Sequence, residues 1–226
     1  MIGIIPAAGK GKRLGGKTKS LLLIKGKRVI HHILDNMKSI GIKKVYIIQF
    51  KNSIKKVIGS KYRGLEIKYL QQNKQTGLKD AIMKCSNLKG KMCIILGDII
   101  YKPFEEDLKD ARIIFEEMSD RKDAIAMVTY KVVEDKEQIK KSYGFLKSPY
   151  SNYTKAIIEK PKDIDKIYNY LGLGIYFVTH EIFKYLKSKD IFMNVFNRIR
   201  NETVMQQLNG EYYNINTLEE FEDANR

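Results

Sequence analysis

Apolar residues in this chain fall into short clusters that alternate between two spacings. Ile2, Ile4 and Ile5 form a β-branched run ahead of a glycine-rich turn, the pattern of a short buried strand. Residues 27–40 instead place Val29, Ile30, Ile33, Leu34, Met37 and Ile40 on one helical face, closed by Gly41. A strand over 45–50, a short helix over 53–58 and an alternating strand over 65–70 follow. Next come a helical run through Cys85 and a fully apolar strand over 92–96. Beyond it the pattern predicts a helix over 104–118, a strand over 124–133, a charged connection over 134–141 and a strand over 143–147. Another strand ends at 157–161, and a third opens at Gly172. Near the end, Asn209-Gly210 reads as a hairpin turn between 204–208 and 211–215, and Thr217 and Glu220 sit at capping-box spacing before a helix over 218–224. Strand, helix, strand at this rhythm predicts βαβ units and a mostly parallel sheet.

Composition narrows the class. The 226 residues, 43% hydrophobic and 10% aromatic, suffice for one large globular domain with a substantial core. No apolar run approaches the roughly 18–20 residues of a membrane span, and the short first strand runs into glycines rather than a leader's long apolar stretch. The expectation is a protein with no membrane partner and no signal peptide. Cys85 and Cys93 make no disulfide framework and, with only three histidines, no metal-spaced cluster, so a cytoplasmic setting is expected. A net charge of +16 favours anionic partners. The lysines are spread over nearly every segment and no RNA- or DNA-binding motif appears, so phosphorylated small molecules are expected rather than nucleic acid.

The densest chemistry lies directly after the first strand. Gly9, Gly11, Gly15 and Gly16 interleave with Lys10, Lys12, Arg13, Lys17 and Lys19. Backbone without Cβ lets N–H groups approach an anion, and the cations supply opposite charge, so a nucleotide-phosphate site is indicated. Residues 11–18, GKRLGGKT, match the P-loop pattern formally. A P-loop leaves its strand directly and enters a helix at once; here five residues precede Gly11 and the flat run 21–24 follows. Farther on, Asp98 stands at the tip of the apolar strand, where a carboxylate can hold a divalent ion over phosphates or cap a turn. Gln71 and Gln72 lie at the carboxyl end of another strand, where open α/β sheets bind ligands and an amide can pair with a base edge.

Residues 4–27, IIPAAGKGKRLGGKTKSLLLIKGK, resemble the opening signature of sugar-phosphate nucleotidylyltransferases, A-A-G-x-G-x-R followed by P-K-x-L. Ala7, Ala8, Gly9, Gly11, Arg13, Lys19 and Leu21 match it, while Thr18 stands where that family usually has proline. The resemblance runs through the rest of the chain and implies a Rossmann-like, GT-A-like three-layer α/β fold with a predominantly parallel mixed sheet. One domain is expected over 1–226, with a nucleotide-binding half to about residue 120 and a sugar-phosphate-binding half from 121. No left-handed β-helix repeat is seen, so no acyltransferase domain is expected.

The implied reaction moves a nucleotidyl group from a nucleoside triphosphate to a sugar-1-phosphate, releasing pyrophosphate with Mg²⁺. By position, Arg13 and Lys19 would be catalytic, and Ala7, Ala8, Gly9, Gly11, Gln71 or Gln72, and Gly77 would bind nucleotide. Gly144, Glu159, Lys160 and Gly174 would frame the sugar phosphate, although some members carry Asn-Thr-Gly where this chain has Gly172-Leu173-Gly174. Asp98 and Asn214 would hold the metal, with Asn216 the alternative to Asn214. A D-x-D glycosyltransferase motif would need an acid at Ile100, and its absence counts against the glycosyltransferase reading of the same fold. Cytidylyl transfer to phosphocholine, inositol phosphate or methylerythritol phosphate, a P-loop kinase or NTPase, and a non-enzymatic nucleotide- or RNA-binding domain remain as alternatives. Base, sugar and any homo-oligomeric state are left open.

Overall fold

The computed structural model describes residues 1–9, 11–74, 76–147, 154–186 and 191–226. From β1 (Ile2–Pro6) the chain passes through two 3-10 turns, Lys12–Leu14 and Lys19–Leu21, into a small antiparallel pair, β2 (Leu23–Ile24) and β3 (Lys27–Arg28). Then come α1 (Val29–Ser39), β4 (Lys44–Gln49), α2 (Ser53–Ile58), β5 (Lys61–Tyr62), β6 (Leu65–Gln71) and α3 (Leu78–Met83). The middle of the chain forms β7 (Lys91–Ile95), β8 (Ile99–Lys102), α4 (Asp107–Asp120) and β9 (Ala126–Val132). The remainder comprises β10 (Tyr143–Lys147), β11 (Thr154–Glu159), β12 (Tyr170–Thr179), α5 (Asn194–Arg198), β13 (Thr203–Gln207), β14 (Glu211–Asn214) and α6 (Leu218–Asn225).

The main sheet has the order β13-β9-β12-β7-β1-β4-β6-β5. β7, β1, β4 and β6 run parallel, β12 is antiparallel to both its neighbours, and β13 is parallel to β9. This is the mixed, mostly parallel sheet expected. Its two faces are both covered, because successive side chains of a strand point to opposite sides. Ile5, Ile47, Ile67, Cys93, Ile95, Met127 and Phe177 pack with α1 and α4 on one face. Ile4, Ile48, Met92, Ile94, Val128, Tyr176 and Val178 pack with α3 and α5 on the other. α1 follows its sequence pattern closely: Val29, Ile30, Ile33, Leu34 and Met37 are fully buried. It ends as predicted at Gly41, φ +76°, whose N–H donates to Lys38 O while Ile42 N–H donates to Met37 O.

The expected hairpin at Asn209-Gly210 does not form. β13 pairs parallel with β9 in the main sheet, whereas β14 pairs antiparallel with β8, a strand the apolar pattern did not separate from β7. Gly210 is required by close approach: a Cβ there would lie 2.1 Å from Lys102 O. Its N–H donates to the Tyr101 hydroxyl, which itself donates to Asp107, and Asn209 N–H donates to the same carboxylate. The helix expected over 104–118 begins at Asp107 and ends at Asp120, leaving Phe104 exposed. The connection over 134–141 tightens into a 3-10 turn, Lys136–Lys141, capped by Asp135. Among the described residues no helix is long and apolar enough to cross a membrane.

β4 lies on one side of β1 and β7 on the other, so connections leave β1 and β7 in opposite directions across the sheet. Crevices open at such a switch point, outside the carboxyl ends of the strands. Here those ends are Pro6 and Ile95.

Candidate active site

The exits of β1 and β7 press directly on each other. Gly97 N–H donates to Pro6 O at 3.1 Å, and a Cβ on Gly97 would meet Ala7 Cβ at 2.8 Å and Pro6 O at 2.9 Å. Only glycine fits, and this contact delivers Asp98 to the mouth of the crevice. Ala7 and Ala8 are buried beneath that mouth, so they shape it rather than line it.

The loop after β1 then folds back. Gly11 has φ +55°, and a Cβ on it would lie 2.1 Å from Lys17 O. Gly16 N–H and Leu14 N–H both donate to Gly11 O, making a compact 3-10 turn from which Arg13 reaches the crevice. No α-helix follows this loop until α1, so the P-loop reading fails on geometry. Lys10 lies outside the described residues, as does the Lys12 side chain. Gly9, with no neighbour near its missing Cβ, is exposed at the loop's start. Thr18, in place of the family's proline, holds φ −69°, the angle a proline ring would impose.

The second 3-10 turn clamps the Gly97-Asp98 pair twice. The buried Ser20 hydroxyl donates to Gly97 O at 2.7 Å. Lys19 Nζ lies 2.8 Å from Asp98 Oδ2 and donates to Asn216 Oδ1 at 2.5 Å. The ammonium thus gathers the side chains of residues 79 and 197 positions distant in sequence. β14 brings Asn216 there by pairing with β8, and Ile215 N–H donates to Asp98 O. Asn216 N–H and Thr217 N–H both donate to Glu220 Oε2, and Thr217 Oγ1 accepts from Glu220 N–H, so the predicted capping box also fixes the Asn216 loop. Asn214 also lines the crevice, with its Oδ1 buried and unpartnered among the described residues.

The crevice is about 740 Å³ and drawn from both halves of the chain. Arg13, Gly77, Leu78, Lys79 and Asp80 come from the first half; Lys140, Lys141, Tyr143, Glu159, Lys160 and Thr217 from the second. An apolar wall is made by Tyr176, Ile191, Phe192 and Met193. Lys160 holds φ +49°, an angle uncommon outside glycine, and its N–H donates to Ser142 O at 2.7 Å. Such a conformation at a crevice is maintained by its surroundings.

Other predicted residues sit behind this surface. Gln72 is buried and donates to Gly77 O at 3.1 Å, bracing the entry to α3, while the exposed Gln71 donates to Asn52 at 2.7 Å. Neither glutamine lines the crevice. Gly144 accommodates Ile139 and Ile167, each of which a Cβ would meet at 2.6 Å. Gly174, φ +69°, lies at a register shift of β12 and accepts from Leu96 N–H, so it supports the approach to Asp98 from below. Gly172 is packed beneath the Tyr143 ring, 1.9 Å from the position of a Cβ, and the Tyr143 hydroxyl donates to Thr129 O. Ser20, Lys140, Lys141, Glu220 and the apolar wall were not singled out as site residues by sequence. Nothing local marks them, although Ser20 adjoins Lys19 and Glu220 was visible as a cap.

The titratable groups here offer charge, not a nucleophile. Burial raises the phenols of Tyr143 and Tyr176, keeping both neutral. Burial also pushes the Cys85 thiol up to about 12 and Cys93 higher still, so neither forms a thiolate near neutrality. What remains is a field of cations around a few fixed carboxylates, suited to holding phosphates.

The chain is 27% identical over 194 residues to the bifunctional protein GlmU of Methanococcus maripaludis, covering 83% of this chain and 42% of that protein. It thus spans less than half the length of the GlmU relatives it matches. It is 28% identical over 191 residues to the UTP--glucose-1-phosphate uridylyltransferase AglF of Haloferax volcanii, covering 81% of this chain and 74% of that one. A UDP-glucose pyrophosphorylase solved with UDP-glucose superposes with a TM-score of 0.86 at 19% identity, covering 99% of this chain and 96% of that one. The enzyme of the same name from Acinetobacter baumannii gives 0.82 at 17% identity, over 99% and 92% of the two chains. These two likenesses are of fold. The model of the nucleotidyl transferase family matches residues 2–214, which include the glycine loop, the Lys19–Asp98 pair and both strands that lead to the crevice. The chain belongs to the nucleotidyl transferase family.

Proposed function

We propose that this protein transfers a nucleotidyl group from a nucleoside triphosphate to a sugar-1-phosphate, giving a nucleoside diphosphate sugar and pyrophosphate. The observation that carries the reading is the convergence of Lys19, Asp98 and Asn216 at the mouth of a crevice that also presents Arg13 and Lys160. The relatives' names point the same way.

An oxygen of the sugar phosphate attacks the α-phosphorus; that P–O bond forms, the bond to the bridging oxygen breaks, and pyrophosphate leaves. The attacking oxygen is already ionised at neutral pH, so no protein base is needed. Catalysis then consists of alignment and charge neutralisation. Arg13 and the exposed backbone of the glycine loop hold the leaving β- and γ-phosphates. Lys19 neutralises charge at the α-phosphate. Lys160 positions the attacking phosphate, and Glu159 accepts hydrogen bonds from sugar hydroxyls. The braced Gly77 loop borders the nucleotide.

The donor set fits Mg²⁺. A carboxylate oxygen and an amide oxygen already converge on one cationic group, and a magnesium site takes one or two protein oxygens, with substrate phosphates and water completing it. Asp98 and Asn216 would hold the ion, with Asn214 Oδ1, unpartnered among the described residues, as a further donor. When bound, the ion would neutralise charge on the phosphates. The two buried, protonated thiols are consistent with a reducing, cytoplasmic setting.

The test is pyrophosphate release with Mg²⁺ across ATP, GTP, CTP, UTP and dTTP, each crossed with a panel of sugar-1-phosphates, phosphocholine, inositol phosphate and methylerythritol phosphate. Release is expected only with a triphosphate and a sugar-1-phosphate together. Arg13→Ala and Asp98→Asn should each lower turnover by orders of magnitude in a folded protein. Wild-type turnover in either variant, or release with a non-sugar acceptor alone, overturns the assignment.

A further inference from the structure

We propose that the Lys19 ammonium and the divalent cation compete for a single position between Asp98 Oδ2 and Asn216 Oδ1, so that metal loading depends on a phosphate group drawing Lys19 away. The proposal rests on the nucleotidyl-transfer reading and names a control built into that site.

The backbone that carries each of the two oxygens is held by its neighbours. Ser20 fixes the carbonyl next to Asp98, Ile215 N–H fixes the Asp98 carbonyl, and Glu220 fixes the Asn216 and Thr217 amides. Lys19 is the adjustable member, a point charge on a four-carbon stem. Its ammonium bonds both oxygens at once, at 2.8 and 2.5 Å. A magnesium ion on the same oxygens would sit about 2.0–2.1 Å from each. On the side of those oxygens that the ammonium occupies, the ion's centre would fall within the volume that the ammonium fills, and like charges so placed repel. The two cations then exclude each other from that one position. The ammonium must leave, and it leaves at low cost only when another anion replaces Asp98 as its partner. A nucleotide's phosphates are such an anion, and Arg13, which lines the same crevice, would bind them there. Metal and nucleotide would then favour each other's binding by reciprocal coupling.

The consequence is a metal affinity suppressed in the absence of nucleotide. If Lys19 holds the position for about 90% of the time or more, the apparent affinity falls about tenfold or more, in proportion to the free fraction. Removing the ammonium should restore it.

The experiment measures free Mn²⁺ by electron paramagnetic resonance while Mn²⁺ is titrated into the full chain without nucleotide. Lys19→Met and Lys19→Gln are compared with wild type, and circular dichroism confirms that each is folded. Both variants are expected to bind Mn²⁺ at least tenfold more tightly than wild type. Lys160→Met, which removes a cation of the same crevice without contact to Asp98, should tighten binding far less. Lys19 variants that bind no more tightly than wild type overturn the competition, as does equal tightening by Lys160→Met, which would reduce the effect to general charge. The double variant Lys19→Met with Asp98→Asn separates this failure from that of the metal assignment. Its loss of the site upholds the assignment, whereas retained binding places the ion elsewhere and overturns both.

Discussion

Gly97→Ala tests the contact on which the site's geometry depends. The added methyl carbon would lie 2.8 Å from Ala7 Cβ, 2.9 Å from Ala7 Cα and 2.9 Å from Pro6 O. None of these is the end of a flexible side chain, so the β7 exit must move away from β1 by several tenths of an ångström to regain normal contact. Overpacking of this kind costs about 1–3 kcal/mol. For a chain of 226 residues that corresponds to a fall in melting temperature of about 2–12 °C, at about 2–4 °C per kcal/mol. Asp98 is the next residue, so the displacement reaches its carboxylate and the Lys19 and Ser20 bonds that hold it. A misplacement on the order of 1 Å in a catalytic constellation costs about 10²-fold in rate, and the shift expected here should cost about tenfold or more. Pyrophosphate release gives the rate, and a thermal melt gives the stability. A variant that keeps both the wild-type rate and the wild-type melting temperature would refute the close packing of the two strand exits. Loss of stability with an unchanged rate would refute the link from that packing to Asp98.

Asn216→Ala should lower turnover more than Asn214→Ala, because only Asn216 shares Lys19 with Asp98; the reverse order in steady-state assays would return the metal assignment to Asn214. Thr217→Ala removes the hydroxyl that caps α6 and should cost about 1 kcal/mol in denaturant unfolding, while Thr217→Ser keeps most of it. Burial first, then nearby cations, holds His31 and His32 below the usual imidazole value of about 6.5, so the unfolded chain binds more protons than the folded one as pH falls through that value. Stability should therefore be full above about pH 7 and decline with acid below about 6.5. His32→Gln should shrink the drop in urea midpoint between pH 8 and pH 5, and an unchanged drop would count against the assignment.

Several features were legible because they are local. α1 followed from an apolar stripe and a terminal glycine, the α6 cap from the spacing of Thr217 and Glu220, and β10 from five residues with no dependence on their partners. The hairpin expectation failed because an Asn-Gly pair reports that the chain needs a residue without Cβ, not which strand lies alongside. Gly210 satisfies that need against Lys102 and Tyr101, elements about 108 residues earlier. The same reasoning applies to Gly144, whose missing Cβ makes room for Ile139 and Ile167.

By itself the sequence determined the alternation of strands and helices, the glycine loop with its cations, and the membership signature at residues 4–27. These depend on backbone freedom, side-chain period and charge within a few residues. Only the tertiary structure decided that Lys19 meets Asp98 and Asn216 together, that Ser20 and Glu220 hold their backbones, and that Gln72 braces the Gly77 loop instead of lining the crevice. Those contacts join positions far apart in the chain, and strand order, β7 beside β1 and β14 beside β8, is what brings them within reach. Strand order is set by which apolar faces can be buried together across the whole sheet, a property that no single stretch of sequence contains.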